Sequence, residues 1–595
     1  MPVITRRKFV RASLAGLGGV YVTTVLPGCG GSDDNSLDAG SFDYGVASGD
    51  PLTHSVILWT RLTPADSSKA EASLAWDIAR DAGFQELVAS GSGTASMASD
   101  FTVKVDVQAL DADTQYYYRF KSDSENSVVG KTRTLPESSS NSLKLAVLSC
   151  SNYPAGYFHV YREVANTAGL DLVLHLGDYI YEYGAGKYAS ENAEMLGRVP
   201  QPAGDLLTLD DYRTRYAQYR SDPDLQAAHA AAPFILVWDD HEVANDAWEN
   251  GAENHSESQG SYSDRKLAAI RAYFEWLPIR PVTAGVDSDL ASPSSIYRQF
   301  EWGDLVNLLM LDTRHESRDA PLAITDFFDA STGSFDFVGL STAVNNPQRK
   351  MLGSIQREWL SDAMLTSTAT WQLLGQQVLM GSMLLPFAIA TQQLSVTEYA
   401  ELGQLAILAQ RAQARDSGLN AEQFSYLEAN QQRLTPTVVA LLQAPAIPYN
   451  LDAWDGYGAE RELVYAAAKA ANANLVVVAG DTHNAWANRL RDSSDNVVGV
   501  EFATTSISSP GLEQYLAIEP AAYAAVEQGI VSLVEDLHYV NVGDRGLLIL
   551  EFTHEQATAH WRFVSSILER NYGLQSARGY SMRVPVNSDY QLEEL

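Results

Sequence analysis

The chain has 595 residues, 46% of them hydrophobic and 19% charged, and a formal charge of −33. That length predicts two domains, one of them large, and the composition excludes a disordered chain. So acidic a surface repels polyphosphate backbones unless metal ions or local arginines reverse the field, which leaves a soluble enzyme as the expected class and excludes nucleic acid as a partner.

The amino terminus reads as targeting rather than fold. Thr5-Arg6-Arg7-Lys8-Phe9-Val10 carries a twin arginine, and an uncharged Gly- and Ala-rich stretch follows from Ala12 to Gly28. This is the pattern of a signal within residues 1–29 for the twin-arginine export machinery, with a short retained membrane anchor as the alternative. Leu26-Pro27-Gly28-Cys29-Gly30-Gly31-Ser32 resembles a lipoprotein cleavage site, although Pro27 is unusual there. Cys29 is therefore the candidate lipid-bearing residue and membrane tether, residues 30–40 are a flexible tether, and the expected location is the periplasm or cell surface. Cys29 and Cys150 are the only cysteines, too few for a disulfide framework. Once Cys29 is processed, Cys150 is an unpaired thiol in an oxidising compartment, and metal ligation is the simplest protection.

Residues 41–136 contain short alternating runs separated by turn residues: Ser55 to Thr60, Ala72 to Asp77, Phe101 to Val107 and Gln115 to Phe120. The spacing predicts a small β-sandwich, and Asp111 to Phe120 resembles the tyrosine corner of fibronectin type III or immunoglobulin-like sandwiches. The Ser-rich stretch Thr134 to Ser142 is a linker. From residue 142 to about 570, apolar runs alternate with helical stretches at Gly156 to Thr167, Leu209 to Ala232, Ser261 to Leu277 and Gly353 to Ser367. That rhythm predicts an α/β fold with strands buried on both faces. Residues 380–436 lack it and read as a helical insertion, a candidate lid. Two runs between Gly546 and Val564 suggest a second sheet, hence two mixed sheets flanked by helices, and residues 571–595 read as a tail.

Five apolar runs end in polar tips: Leu143 to Cys150, Leu170 to Asp178, Phe234 to His241, Leu305 to Arg314 and Asn474 to His483. Open α/β sheets bind ligands at the carboxyl ends of their strands. Asp178 and Tyr181, three apart, can turn to one ion as a carboxylate and a phenolate, a hard anionic pair suited to ferric iron, to which Cys150 adds a thiolate. The alternative for Tyr181 is packing among Tyr179 and Tyr183. Asp239-Asp240-His241-Glu242 is costly after an apolar run unless a cation holds it, and Asp481 with His483 offers two ligands at i and i+2. Each segment alone could instead be a helix cap or solvated turn. His175, inside an apolar run, reads as a core residue.

Cys150, Gly177-Asp178-Tyr179-Ile180-Tyr181, Asp239-Asp240-His241-Glu242-Val243 and Gly480-Asp481-Thr482-His483 resemble the calcineurin-like metallophosphoesterase motif series in the variant of PhoD-type alkaline phosphatases. Gly45 to Pro51, Leu58-Trp59-Thr60-Arg61, Leu311 to Arg314, Gln376-Gln377 and Trp454 to Tyr457 support the resemblance, which spans Phe42 to Leu550. It implies a metallophosphoesterase sandwich and ferric iron on Cys150, Asp178, Tyr181 and His483. It also implies calcium, two ions, around Asp178, Asp240 and Asp481, with Asp239 and Asn245 as further metal or substrate ligands. The expected activity is that of an exported alkaline phosphatase cleaving phosphate mono- or diesters by attack of a metal-bound hydroxide or oxo group on phosphorus. His241 would protonate or hydrogen-bond the leaving oxygen, and Arg314 would clamp phosphate or else form a structural ion pair. The alternatives are a phospholipase D-like or teichoic-acid phosphodiesterase and, outside enzymes, a calcium-stabilised exported binding module.

Overall fold

The computed structural model describes residues 36–280 and 295–595. The twin-arginine segment and Cys29 lie outside them.

Two β-sheets share an apolar interior. One has ten strands in the spatial order Glu593–Glu594, Tyr580–Pro585, Gln556–Phe563, Gly546–Phe552, Leu143–Leu148, Leu172–His175, Phe234–Leu236, Val46–Gly49, Val56–Arg61 and Thr102–Val107. The other has seven, in the order Arg298–Trp302, Val306–Met310, Trp371–Gly375, Leu475–Ala479, Val497–Ala503, Ala485–Arg491 and Leu537–Asn541. Successive side chains point to opposite faces, so the central strands Leu143–Leu148, Leu172–His175, Val306–Met310 and Leu475–Ala479, covered on both, are almost wholly apolar. Leu308, Met310, Val476 and Val478 join the cluster that also holds Leu145, Val173 and Leu548, whereas Leu309, Leu475 and Val477 point to a second cluster with Leu360, Val464 and Tyr465 of the covering helices. Both faces are thus buried.

Within each sheet a run of neighbouring strands is parallel. Leu143–Leu148, Leu172–His175 and Phe234–Leu236 form one set, and Val306–Met310, Trp371–Gly375 and Leu475–Ala479 the other. Their carboxyl ends carry all the predicted tips.

The amino-terminal domain is β-rich, but its sandwich is not self-contained. A four-stranded sheet of Leu87–Ser96, Glu71–Ala79, Gln115–Lys121 and Gly130–Arg133 packs over Leu58 and Val105. Its partner strands Val46–Gly49, Val56–Arg61 and Thr102–Val107 are the far end of the ten-stranded sheet, joined to it where Gly49 pairs with Phe234. Leu87–Ser96 escapes a hydrophobic reading because Gly and Ser fill it. A Cβ on Gly91 would come within 2.8 Å of the Trp76 ring, so the missing side chain makes room for the indole.

Other expectations require correction. Gly546–Phe552 and Gln556–Phe563 do not found the second sheet; the first pairs antiparallel with Leu143–Leu148, and the second sheet is built from residues 298–541. Leu209 to Ala232 is two helices, Leu209–Arg220 and Pro223–Ala231, with Asp222 capping the second. The insertion extends past residue 436, because Pro436 opens the helix Pro436–Gln443 rather than ending the segment. It is closed at its base by the antiparallel pair Leu384–Pro386 and Ala446–Pro448. Residues 571–595 are no tail: Tyr580–Pro585 extends the large sheet and buries Met582 and Val584 on one face.

Removing residues 579–595 should therefore cost about 3–6 kcal/mol, at about 1.5–3 kcal/mol for each of these two side chains. Urea unfolding followed by total tryptophan fluorescence measures it, and a truncated chain of unchanged midpoint would show the strand to be dispensable.

Candidate metal centre

The strand ends turn sharply, and the turning residues are the ones that carry donors. Cys150 (φ 62°), Asp178 (φ 53°), Asp481 (φ 60°) and His483 (φ 63°) are all in the left-handed region. Non-glycine residues seldom adopt it, and where they do the surrounding structure must hold them there. Gly177 (φ 106°) precedes Asp178, and a Cβ there would lie 2.4 Å from the Asp239 backbone nitrogen, so only glycine lets these two tips touch.

The tips converge. Ligand atoms of Cys150, Asp178 and His483 lie within 4.8 Å of one another, as do those of Asp178, Asp240 and His241, and those of Asp239, Asp240 and Asp481. Asp178 and Asp240 each belong to two groups, so the three are contiguous. The Tyr181 hydroxyl donates to Asp178 Oδ2 at 2.8 Å, lies 3.1 Å from His483 Nε2 and accepts from Ser509 Oγ at 2.6 Å. His483 Nδ1 donates to the Pro510 carbonyl at 2.6 Å, which leaves the Nε2 lone pair for the cluster, the orientation of a metal-ligating imidazole.

The electrostatics call for cations. Cys150 and Tyr181 are buried, and burial first, then Asp178, pushes both acid groups well above their ordinary range, so neither ionises without a positive partner. Burial and neighbouring carboxylates likewise push Asp239 well up, even against the pull of Arg314. Asp178 Oδ1 and Asp239 Oδ2 are buried with no hydrogen-bond partner. A thiol, a phenol, carboxylates and imidazoles with orphaned buried oxygens suit bound metal ions.

Arg314 stands differently from the phosphate clamp expected for it. Its guanidinium is fully buried, and Nε donates to Asp239, Nη1 to Asp452 at 2.6 Å and Nη2 to Asp481 at 2.7 Å. The alternative of a structural ion pair matches this placement, since every nitrogen of the fork already has a carboxylate. The Asn245 backbone N–H donates to Glu182, and its side chain to Glu253 at 2.6 Å. Glu242 faces back into the protein, accepting from the N–H groups of Asp178 (3.1 Å), Tyr179 and Asp239 (2.7 Å).

His241 is fixed from behind. Its Nδ1 is 2.7 Å from Glu182 Oε2, while Glu182 Oε1 accepts from Asn254 at 2.7 Å and from Asn245 N–H. Burial opposes charge on this imidazole, but Asp240, Asp178 and Glu182 outweigh it and hold the pKa well above the ordinary value. His175, by contrast, is a core residue bonded to the Tyr161 hydroxyl at 2.9 Å, and burial pushes it down to about 3.

Sequence reasoning gave no role to Glu182, Glu242, Asp246, Asp452, Tyr188 or Ser509. Glu242 lies in the Asp239 to Val243 motif and Glu182 directly follows Tyr181, but nothing in their spacing tells a supporting carboxylate from a ligand. Asp452 lies two residues before the Trp454 to Tyr457 motif, its only signal. Ser509 and Tyr188 had none.

Residues 145–561 match the family model described as PhoD-like phosphatase, and residues 28–136 match PhoD-like phosphatase, N-terminal domain. The chain is 33% identical over 523 residues to alkaline phosphatase D of Bacillus subtilis (strain 168), covering 85% of this chain and 76% of that protein. The solved structure described as "Structure of PhoD" aligns with a TM-score of 0.71 and 30% identity, over 95% of this chain and 93% of that one.

Burial, reinforced by neighbouring carboxylates, raises Glu242 from 4.5 and Asp246 from 3.8 to about 8, and Asp481 from 3.8 to about 7. A folded-state pKa above the unfolded one means that the folded protein holds extra protons. The stability tied to them is complete below the unfolded values and is lost as pH rises through the folded ones. Chelated protein should therefore lose thermal stability between about pH 5 and about pH 8, and added divalent cation should restore it. Calorimetric Tm profiles with and without chelator measure this, and a flat chelated profile would contradict the account.

Proposed function

The chain belongs to the PhoD-like phosphatase family and is a phosphoric ester hydrolase, and from that premise we propose that it is an exported, metal-dependent alkaline phosphatase acting on phosphate mono- and diesters at the converging strand tips. The observation that carries the reading is the approach of Cys150, Asp178 and His483 ligand atoms to within 4.8 Å, with the Tyr181 hydroxyl beside them.

Cys150, Asp178, Tyr181 and His483 would hold ferric iron, because thiolate, phenolate and carboxylate are the anionic donors that ion favours. Asp178, Asp240 and Asp481, with Asp239, would hold calcium, two ions, through oxygen alone. Such cations supply Lewis acidity toward the phosphate oxygens and an acidified water as nucleophile.

The chain's own residues do the rest. Glu182 binds His241 through Nδ1, which fixes the tautomer and leaves the Nε2 proton for the site, and the Glu182 carboxylate favours the protonated ring. His241 thus acts as general acid, handing the Nε2 proton to the departing alkoxide. Arg314 holds Asp239, Asp452 and Asp481 in place and neutralises part of their charge. The non-catalytic binding module falls with membership in a phosphatase family. Arg6 and Arg7 support export by the twin-arginine machinery to the periplasm or cell surface, with Cys29 as a lipid tether. Among the described residues no helix is long and apolar enough to cross a membrane.

Purified from an exporting host, the protein should contain iron and calcium by elemental analysis and show a tyrosinate-to-iron absorption band that Tyr181→Phe removes. Colourless, iron-free, fully active enzyme would refute the iron assignment. His241→Ala should lower kcat roughly 10²- to 10³-fold with metal content near normal; unchanged turnover would remove His241 from the mechanism.

A further inference from the structure

The imidazoles of the centre are almost fully buried, His241 and His483 being 6% exposed, whereas Asp481 is partly open to solvent. Tyrosines from three separate parts of the chain gather beside these groups. Tyr183 and Tyr188 follow Asp178, Tyr449 lies on the strand side of the helical insertion, and Tyr515 ends the short helix Leu512–Tyr515. Tyr515 is 55% exposed and the other three are half-buried.

The rings are ordered about His241. Tyr188 lies parallel to it, at 8° between planes and 6.4 Å between centroids, and Tyr183 is tilted at 5.4 Å. Tyr188 also stacks on Tyr181 at 5.9 Å, and its hydroxyl is 3.5 Å from that of Tyr515. Tyr515 is within electrostatic reach of His241, Asp481 and Asp246, and Tyr449 within that of Tyr515 and Asp481. The cation next in sequence, Lys187, turns away to Asp205 at 2.7 Å. An alcohol leaving beside His241 therefore meets aromatic faces and carboxylates.

We propose that Tyr183, Tyr188 and Tyr515 form the leaving-group subsite, which takes phosphate esters whose alcohol presents a flat, uncharged face. Aromatic rings recognise such a face by offset stacking. The inference rests on the assignment of His241 to the leaving oxygen.

The test compares benzyl phosphate with ethyl phosphate, whose leaving alcohols are similarly basic, on the metal-loaded full chain. The wild type should favour the benzyl ester in kcat/KM. Tyr188→Ala should reduce the benzyl-to-ethyl ratio about five- to tenfold, mainly through the KM for benzyl phosphate, as expected for loss of one stacking partner. Tyr188→Phe keeps the ring and should keep the ratio. A merely structural role for the hydroxyl near His483 would instead make Tyr188→Phe as damaging as Tyr188→Ala, on both esters and in metal content. Equal loss on both esters, or an unmoved ratio, would overturn the subsite while leaving the phosphoesterase mechanism standing. Hydrolysis of neither ester by wild type would overturn the mechanism and the subsite together.

Discussion

Repulsion between buried negative groups is the constraint on which this structure turns. Asp178, Asp239, Asp240 and Asp481 meet at the ends of the parallel strands, and among the described residues only Arg314 is placed with them as a permanent positive charge. Two like charges about 4 Å apart repel by about 4 kcal/mol at an effective dielectric constant near 20, whereas one hydrogen bond returns about 1 kcal/mol. Local hydrogen bonding therefore cannot stabilise the ionised cluster. Protonation or bound cations can, and a thiol and a phenol beside the carboxylates add donors of little use to protons but of great use to a transition metal.

Such a cluster requires a frame that does not yield. Gln377 supplies a cross-link between the sheets: its amide donates to the Trp238 carbonyl (2.7 Å) at one sheet's tip and to Leu311 (3.0 Å) at the other's, while its oxygen accepts from Thr313. Glu242 gathers three backbone N–H groups from two adjacent tips of the first sheet. The Cys150 loop is pinned to the second sheet through Ile507 N–H to the Ser149 carbonyl at 3.0 Å. These polar groups are satisfied within the protein, so they can fix geometry without competing for an ion. The left-handed conformations at Cys150, Asp178, Asp481 and His483 persist because this frame over-determines them.

How much of this was legible depends on range along the chain. The parallel strands are short apolar runs with a polar end, and that signature is local, so the tips bearing Cys150, Asp178, Asp240, Asp481 and His483 could be read directly. Partners are not local. Whether Gly546–Phe552 founds a sheet or extends one depends on Leu145 meeting Leu550, a pairing across some four hundred residues with no mark in either segment. The carboxyl-terminal strand was missed for the same reason: Met582 and Val584 alternate, but a single half-apolar strand acquires meaning only from the edge it covers. Among polar residues, Glu182 and Glu242 look like ligands in sequence and become supports only when their hydrogen bonds are seen.

Arg314 illustrates the point most fully. A strand-tip arginine in a phosphatase suggests a phosphate clamp, because its fork matches phosphate oxygens. Here the same fork is matched to carboxylates, and the atoms it engages are selective. It takes Oδ1 of Asp239 and Oδ1 of Asp481, while Oδ2 of Asp239 is left buried without a protein partner. Asp239 thus divides between two tasks, one oxygen held by the guanidinium and the other left for a partner outside the protein. Through Asp452 the arginine also ties down the chain returning from the helical insertion, which carries Tyr449 near Tyr515 and Asp481. A lysine, with its single compact charge, could neutralise the cluster but could not hold three carboxylates at fixed angles. The planar fork orients the oxygens as well as balancing their charge.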